Sequence, residues 1–167
     1  IIRIDSNDKV SNSFDIKRIP FSDYDAVIVS DYDKGYLTYK DIQEISESHP
    51  LTFIDTKKPL NERMRDYTFI KINEVEWDNC KGEEYEDWEG KLIVTMSERG
   101  AMYNGKTFPV NNDIEVRDLS GAGDTFMASL VVSYLKTLDI EQSIEFANEN
   151  ATLVVQKKGV VTIWKKH

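Results

Sequence analysis

The sequence predicts an α/β fold: an open, mostly parallel sheet with helices on both faces. Short β-branched apolar runs alternate along the chain with longer stretches of helical period. The short runs are continuously apolar, as strands covered on both faces are. Polar loops follow them, and in such sheets ligands sit at the carboxyl ends of the strands.

The elements follow in order. "IIRID" at residues 1–5 reads as a strand entered midway, as in a fragment or a processed form. "DAVIVSD" (25–31) is a buried strand, and "SDYDKGYL" continues from its end as a polar loop. "TYKDIQEISESHP" is helical, with Thr38 as N-cap, Ile42 and Ile45 on one face and Pro50 as the stop. "LTFIDTKKP" gives a second strand and loop. "YTFIKINEVEW" gives a third strand running into Asn73 and a short helix. "EEYEDWEG" is an acidic, exposed helix or turn. "KLIVTMSERGA" is a fourth strand with a loop closed by Gly100. "AMYNGKTFPV" is a hairpin whose Asn104-Gly105 pair suits a type I′ turn. Met127, Leu130, Val131, Tyr134, Leu135 and Leu138 then mark the core-facing stripe of a helix. A last helix starts at Asp139, with Gln142 placed for a capping box, and ends at Gly159. "VVTIW" is the final strand. Residues 1–167 read as one domain.

Composition narrows the function. The net charge of −9 argues against a nucleic-acid surface, but not against a small phosphate ligand bound by backbone N–H groups. One cysteine, Cys80, excludes an internal disulfide and a multi-cysteine metal site, and two histidines (His49 and His167) make zinc chemistry a poor expectation. No apolar run is long enough to span a bilayer and no signal peptide is recognisable, so the expectation is a cytoplasmic protein with no membrane partner.

"DLSGAGDTF" (118–126) concentrates two of the chain's 8 glycines at the mouth of a helix. The first N–H groups of a helix lack intrahelical partners and carry partial positive charge. Gly121, Ala122 and Gly123 can therefore present donors to an anionic oxygen. Asp124 beside them suits a proton acceptor for a hydroxyl that attacks phosphorus. The plainer alternative is a glycine turn with Asp124 favouring the helix dipole, and the local pattern leaves both open. A dinucleotide fingerprint fits less well because Phe126 stands where a third small residue is needed, and no Gly-Lys-Ser/Thr phosphate loop occurs.

The motifs together resemble the ribokinase-like PfkB carbohydrate kinases, and within them the heptose-7-phosphate kinases of ADP-heptose synthesis. "DLSGAGDTFMASL" resembles the D-T-x-G-A-G-D signature, with Leu119 departing from it. "VSDYDKGYLT" resembles S-D-Y-G-K-G-x-L. "FIDTKKP" resembles I-D-P-K, with Thr56 for proline. "KINEVE" carries N-x-x-E at Asn73 and Glu76. "LIVTMSERGAMY" resembles V-T-x-G-E-x-G, with Ser97 for glycine, and "ANENATLVVQKKGVVTI" resembles the closing helix and strand. The resemblance covers nearly the whole chain.

It implies the nucleotide-binding portion of a ribokinase-like fold, using ATP and Mg2+. Asp124 would be the base, and Gly121, Ala122 and Gly123 the anion hole. Asn73 and Glu76 would organise magnesium through water near the ATP phosphates. Ser97, Glu98 and Gly100 would lie along the nucleotide, with Asn148 near the adenine. Lys57 would approach phosphate, and Asp31 and Lys34 would stand on the sugar side or the phosphate path. Read alone, Asp31, Lys34 and Lys57 are equally solvated loop charges. Asn73 is equally a helix N-cap, Glu98 an exposed turn residue and Asn148 a solvent-facing helix residue. The acidic run Glu83, Glu84, Glu86 and Asp87 reads as a solvated face; Trp77, Trp88 and Trp164 read as packing, and Cys80 receives no role.

Members of the family carry an additional N-terminal part, with the sugar-contacting segments and a β lid, which nothing in this sequence matches. The expectation is thus the C-terminal part of an ATP-dependent sugar kinase, acting on a sugar or on a sugar phosphate such as heptose 7-phosphate at O1, with a homodimer or pairing to the N-terminal portion as its assembly. The alternative is a nucleotide-binding or interaction module without kinase activity of its own.

Overall fold

The structure is a computed structural model and describes residues 15–80, 84–110, 114–159 and 161. The predicted strand at 1–5 and, except for Val161, that at 160–164 lie outside these residues, as does Glu83. The chain divides into two compact units, Ile1–Leu92 and Ile93–His167.

In the first unit, β1 (Val27–Asp31), β2 (Thr52–Thr56) and β3 (Phe69–Asn73) are parallel neighbours in that order, with Val29 opposite Ile54 and Asp55 opposite Lys71. Parallel neighbours need a crossover, and α1 (Tyr39–Glu47) supplies the one between β1 and β2. Thr38 caps α1 in a capping box with Asp41, and Ile42 and Ile45 are buried, as their spacing predicts. The helix stops at Glu47 with Ser48 as its C-cap, and Pro50 stands two residues past the cap, where a stop is expected. Phe53, Ile54, Ile70 and Ile72 are sealed from solvent with Ile42, Met64 and Tyr67. The Phe53 and Phe69 rings pack at 5.6 Å between centroids. The Tyr67 hydroxyl donates to the Ile42 carbonyl at 3.0 Å. Burial, and then the Asp31 charge, push that phenol far above its ordinary value.

After β3 comes the short α2 (Glu74–Asp78). The acidic segment forms a 3₁₀ turn, Tyr85–Trp88; its charges are exposed, while Trp88 is buried under the Arg65 guanidinium at 4.8 Å. Trp88 is therefore packing, as the sequence suggests.

In the second unit, β4 (Leu92–Thr95), β5 (Ala101–Tyr103) and β6 (Lys106–Phe108) run antiparallel, with Asn104 and Gly105 both at positive φ in the β5–β6 turn. This is the geometry a type I′ hairpin requires. The helices α3 (Ala122–Thr137) and α4 (Ile140–Val155) pack on each other. Asp139 caps α4 by accepting from the Gln142 N–H at 3.1 Å.

The stripe expected along α3 holds only at its N-terminal end. Met127, Leu130 and Val131 are buried, joined by Phe126, but Leu135 and Leu138 are exposed. Leu138 is the left-handed C-cap of α3, φ 54°, so the chain has left the helical path there. Similarly, α4 closes at Val155 with Gln156 as its cap, before Gly159.

Candidate active site

At the carboxyl ends of β1 and β2 the structure gathers a charged knot. Asp31 is buried, which corrects its reading as a solvated loop charge. Its Oδ2 accepts from the Thr56 hydroxyl at 3.1 Å and its Oδ1 from the Asp33 N–H at 3.1 Å. The cation beside it is Lys58, which the sequence reading passed over. Lys58 Nζ lies 3.5 Å from Asp31 Oδ2 and donates to Asp33 Oδ1, with its side chain only 7% exposed. Burial pulls this ammonium down, but the hydrogen bond to Asp33 and the Asp31 charge outweigh it, and its pKa stands above the ordinary lysine value. Lys57 is exposed, its Nζ 4.8 Å from the Tyr32 ring centroid. Lys34 is exposed on the loop after β1. No local signal marks Lys58: it lies past the end of β2, and its partner Asp33 is 25 residues away.

At the end of β3, Asn73 and Glu76 form a capping box. Asn73 Oδ1 accepts from the Glu76 N–H at 2.8 Å, the Asn73 N–H donates to Glu76 Oε2 at 2.7 Å, and Asn73 Nδ2 donates to Glu76 Oε1 at 2.9 Å. The cap role of Asn73 is thus realised. Each Glu76 oxygen takes one bond from Asn73 and keeps a second acceptor position. That fits a hydrated magnesium ion held through its waters, and fits a direct chelate poorly, because direct ligation would compete with the cap. Among the described residues no three His, Cys, Asp or Glu side chains gather as a metal cluster. Cys80, just beyond α2, is buried and its thiol donates to the Glu76 carbonyl at 3.3 Å.

In the second unit Ser97–Arg99 forms a 3₁₀ turn after β4, with Ser97 and Glu98 exposed. Ser97 holds φ 54°, the left-handed region, at the position where the resembled motif has glycine. Gly100 holds φ 85°, and a Cβ there would stand 2.0 Å from the Phe108 carbonyl oxygen. That same oxygen accepts from Asn148 Nδ2 at 2.8 Å. Asn148 is buried, which corrects its reading as a solvent-facing helix residue. The structure so brings Gly100 and Asn148 to one carbonyl.

The glycine segment enters α3 through a left-handed Gly121, φ 79° and ψ 2°, as N-cap. Asp124 is exposed in the first turn. The Ala122 N–H already donates to the Leu119 carbonyl, at a long 3.3 Å. The loop is latched by Asp118, to which sequence reasoning gave no role. Its carboxylate accepts from the Ser120 N–H at 2.9 Å and the Gly159 N–H at 3.0 Å. The N–H groups of Arg117 and Asp118 donate to the Val155 carbonyl at 2.8 and 3.2 Å. The bonds from Ser120, then that from Gly159, hold the Asp118 carboxyl below its ordinary value.

These arrangements carry the motifs of known proteins. The model of the pfkB family carbohydrate kinases matches residues 28–166. A bifunctional protein HldE of a Nitratiruptor species is 36% identical over 172 residues, covering 92% of this chain and 36% of the relative. That of Hydrogenovibrio crunogenus is 32% identical over 164 residues, covering 86% and 34%. That of a Helicobacter pylori strain is 29% identical over 188 residues, covering 95% and 41%. The chain thus spans well under half the length of these relatives. Among solved structures, the ribokinase of Thermotoga maritima superposes with a TM-score of 0.69 at 16% identity, over 86% of this chain and 55% of that one. The ribokinase of Arabidopsis thaliana complexed with ribose and ATP gives 0.63 at 19% identity, over 80% and 50%. At these identities the likeness establishes the ribokinase-like α/β fold.

Proposed function

Because the chain belongs to the pfkB family of carbohydrate kinases, we propose that it is the C-terminal, nucleotide-binding part of an enzyme that moves the γ-phosphoryl group of ATP to a hydroxyl of a sugar or sugar phosphate. Heptose 7-phosphate, phosphorylated at O1, is the substrate we favour, on the strength of "SDYDKGYL" and "FIDTKKP". The observation that carries the proposal is the entry to α3: a left-handed glycine turn followed by an exposed carboxylate in the first helical turn.

Each residue then has a task. Asp124 accepts the proton of the attacking hydroxyl, since a carboxylate in hydrogen-bond reach is the base such a transfer needs. The backbone around Gly121, Ala122 and Gly123 steadies the charge that builds on the transferring group. Asp118 keeps that backbone in place. Magnesium, when bound, neutralises phosphate charge, and Asn73 and Glu76 orient its water shell. Ser97, Glu98 and Gly100 line the nucleotide, with Asn148 near the adenine fixing the Phe108 strand. Lys57 meets phosphate, and Asp31 and Lys34 serve the sugar side. Dependence on ATP fits a cytoplasmic enzyme.

A second reading draws on the coverage of the relatives: this chain is a nucleotide-binding or interaction module without kinase activity of its own. Calorimetry of Mg-ATP with this chain, and ADP release by the product of the full open reading frame against a panel of sugars and sugar phosphates, test both. Absence of ATP binding in both proteins would refute the nucleotide assignment. Binding without transfer in both would favour the module.

A further inference from the structure

We propose that Lys58 is a positioning residue: through Asp31 and Asp33 it fixes the loop after β1 that carries Lys34, and so sets affinity for the sugar-side substrate. This rests on the kinase reading and on the sugar-side assignment of Asp31 and Lys34.

A buried ammonium and a buried carboxylate are each expensive to dehydrate and are tolerated when they are paired and hydrogen-bonded. Here the Lys58 side chain is 7% exposed and that of Asp31 4%. The knot joins segments 25 residues apart. The Lys58 N–H donates to the Thr56 hydroxyl at 3.0 Å, and that hydroxyl donates to Asp31 at 3.1 Å. The Lys57 N–H donates to the Asp31 carbonyl at 3.0 Å. Asp33 turns the loop in the left-handed region, φ 54°, with its N–H on Asp31 and its carboxylate on Lys58. Two carboxylates thus share one ammonium. Without it, Asp31 and Asp33 repel each other across the start of the loop, and Asp31 is left buried beside a like charge. The two neighbouring lysines divide the work: Lys58 holds the loop ends, and Lys57 stands in solvent beside Tyr32.

The test has two arms. In this chain, Lys58→Met is expected to speed amide exchange about tenfold at Asp33, Lys57 and Lys58 without changing exchange in α3 and α4. In the product of the full reading frame, the same change is expected to raise the sugar-substrate KM about tenfold while leaving the ATP KM unchanged. Lys58→Arg restores most of both, and Lys40→Met, on the exposed face of α1, changes neither. Should Lys58→Met fail to fold, Asp33→Asn, which removes the partner carboxylate from the half-exposed side, takes its place with the same expected outcomes. Unchanged exchange at these amides, exchange raised uniformly through the chain, or an ATP KM that rises with the sugar KM would each overturn the proposal. If the wild-type protein releases no ADP with any sugar, the kinase reading fails, while the exchange arm still decides whether Lys58 holds the loop.

Discussion

The side-chain amide of Asn148, in the middle of α4, donates to the carbonyl oxygen of Phe108, at the end of β6, at 2.8 Å. A buried amide on a helix thereby holds the edge of a hairpin 40 residues earlier in sequence. Replacing it with alanine leaves a buried carbonyl without this partner. Asn148→Ala is expected to cost about 1–3 kcal/mol, read as a lower melting temperature by roughly 2–4 °C per kcal/mol. An unchanged melting temperature would show that the bond contributes nothing.

Gly100 abuts the same carbonyl. With φ 85° and a Cβ position 2.0 Å from the Phe108 oxygen, any side chain there must displace backbone. Gly100→Ala is expected to destabilise by about 3 kcal/mol or more, from strain and overpacking together. Chemical denaturation measures it; a loss under about 1 kcal/mol would mean that the hairpin yields readily.

Ser97 offers the opposite case. It sits at φ 54°, where an L side chain is strained and glycine is not. Ser97→Gly is expected to stabilise the chain by about 0.5 kcal/mol, the relief of strain being partly offset by the greater freedom of glycine when unfolded. A lowered melting temperature would show that the serine side chain does something this geometry does not require.

These positions also show what was legible in the sequence. The capping boxes at Thr38 and at Asn73–Glu76 are local patterns, and the structure contains both. The alternation of strands and helices and the Asn104-Gly105 turn were legible for the same reason. Asp31, Lys58 and Asn148 were not. Their burial follows from partners 25 to 40 residues away, and no local spacing announces that a charge or an amide will face inward. The exposed Leu135 and Leu138 miss in the other direction: an apolar stripe gives the face of a helix but not where its cover stops. Asp118 lies in the segment just before α3, yet its latch to Gly159 spans 41 residues.

That latch has a pH signature. The folded Asp118 carboxyl titrates below its unfolded value of 3.8. Its contribution to stability is therefore complete above that value and is lost as pH falls through the lower, folded one. The melting-temperature gap between wild type and Asp118→Ala is expected to be wide at about pH 7 and to close by about pH 2. A gap independent of pH would mean that the ionised carboxylate is not what holds the loop.

Whether Asp124 is the base of a phosphoryl transfer is decided by ADP release from the product of the full reading frame carrying Asp124→Asn, alongside calorimetric ATP affinity. Turnover is expected to fall by about 10²–10⁴-fold with ATP affinity little changed. Turnover retained at the wild-type level would contradict it.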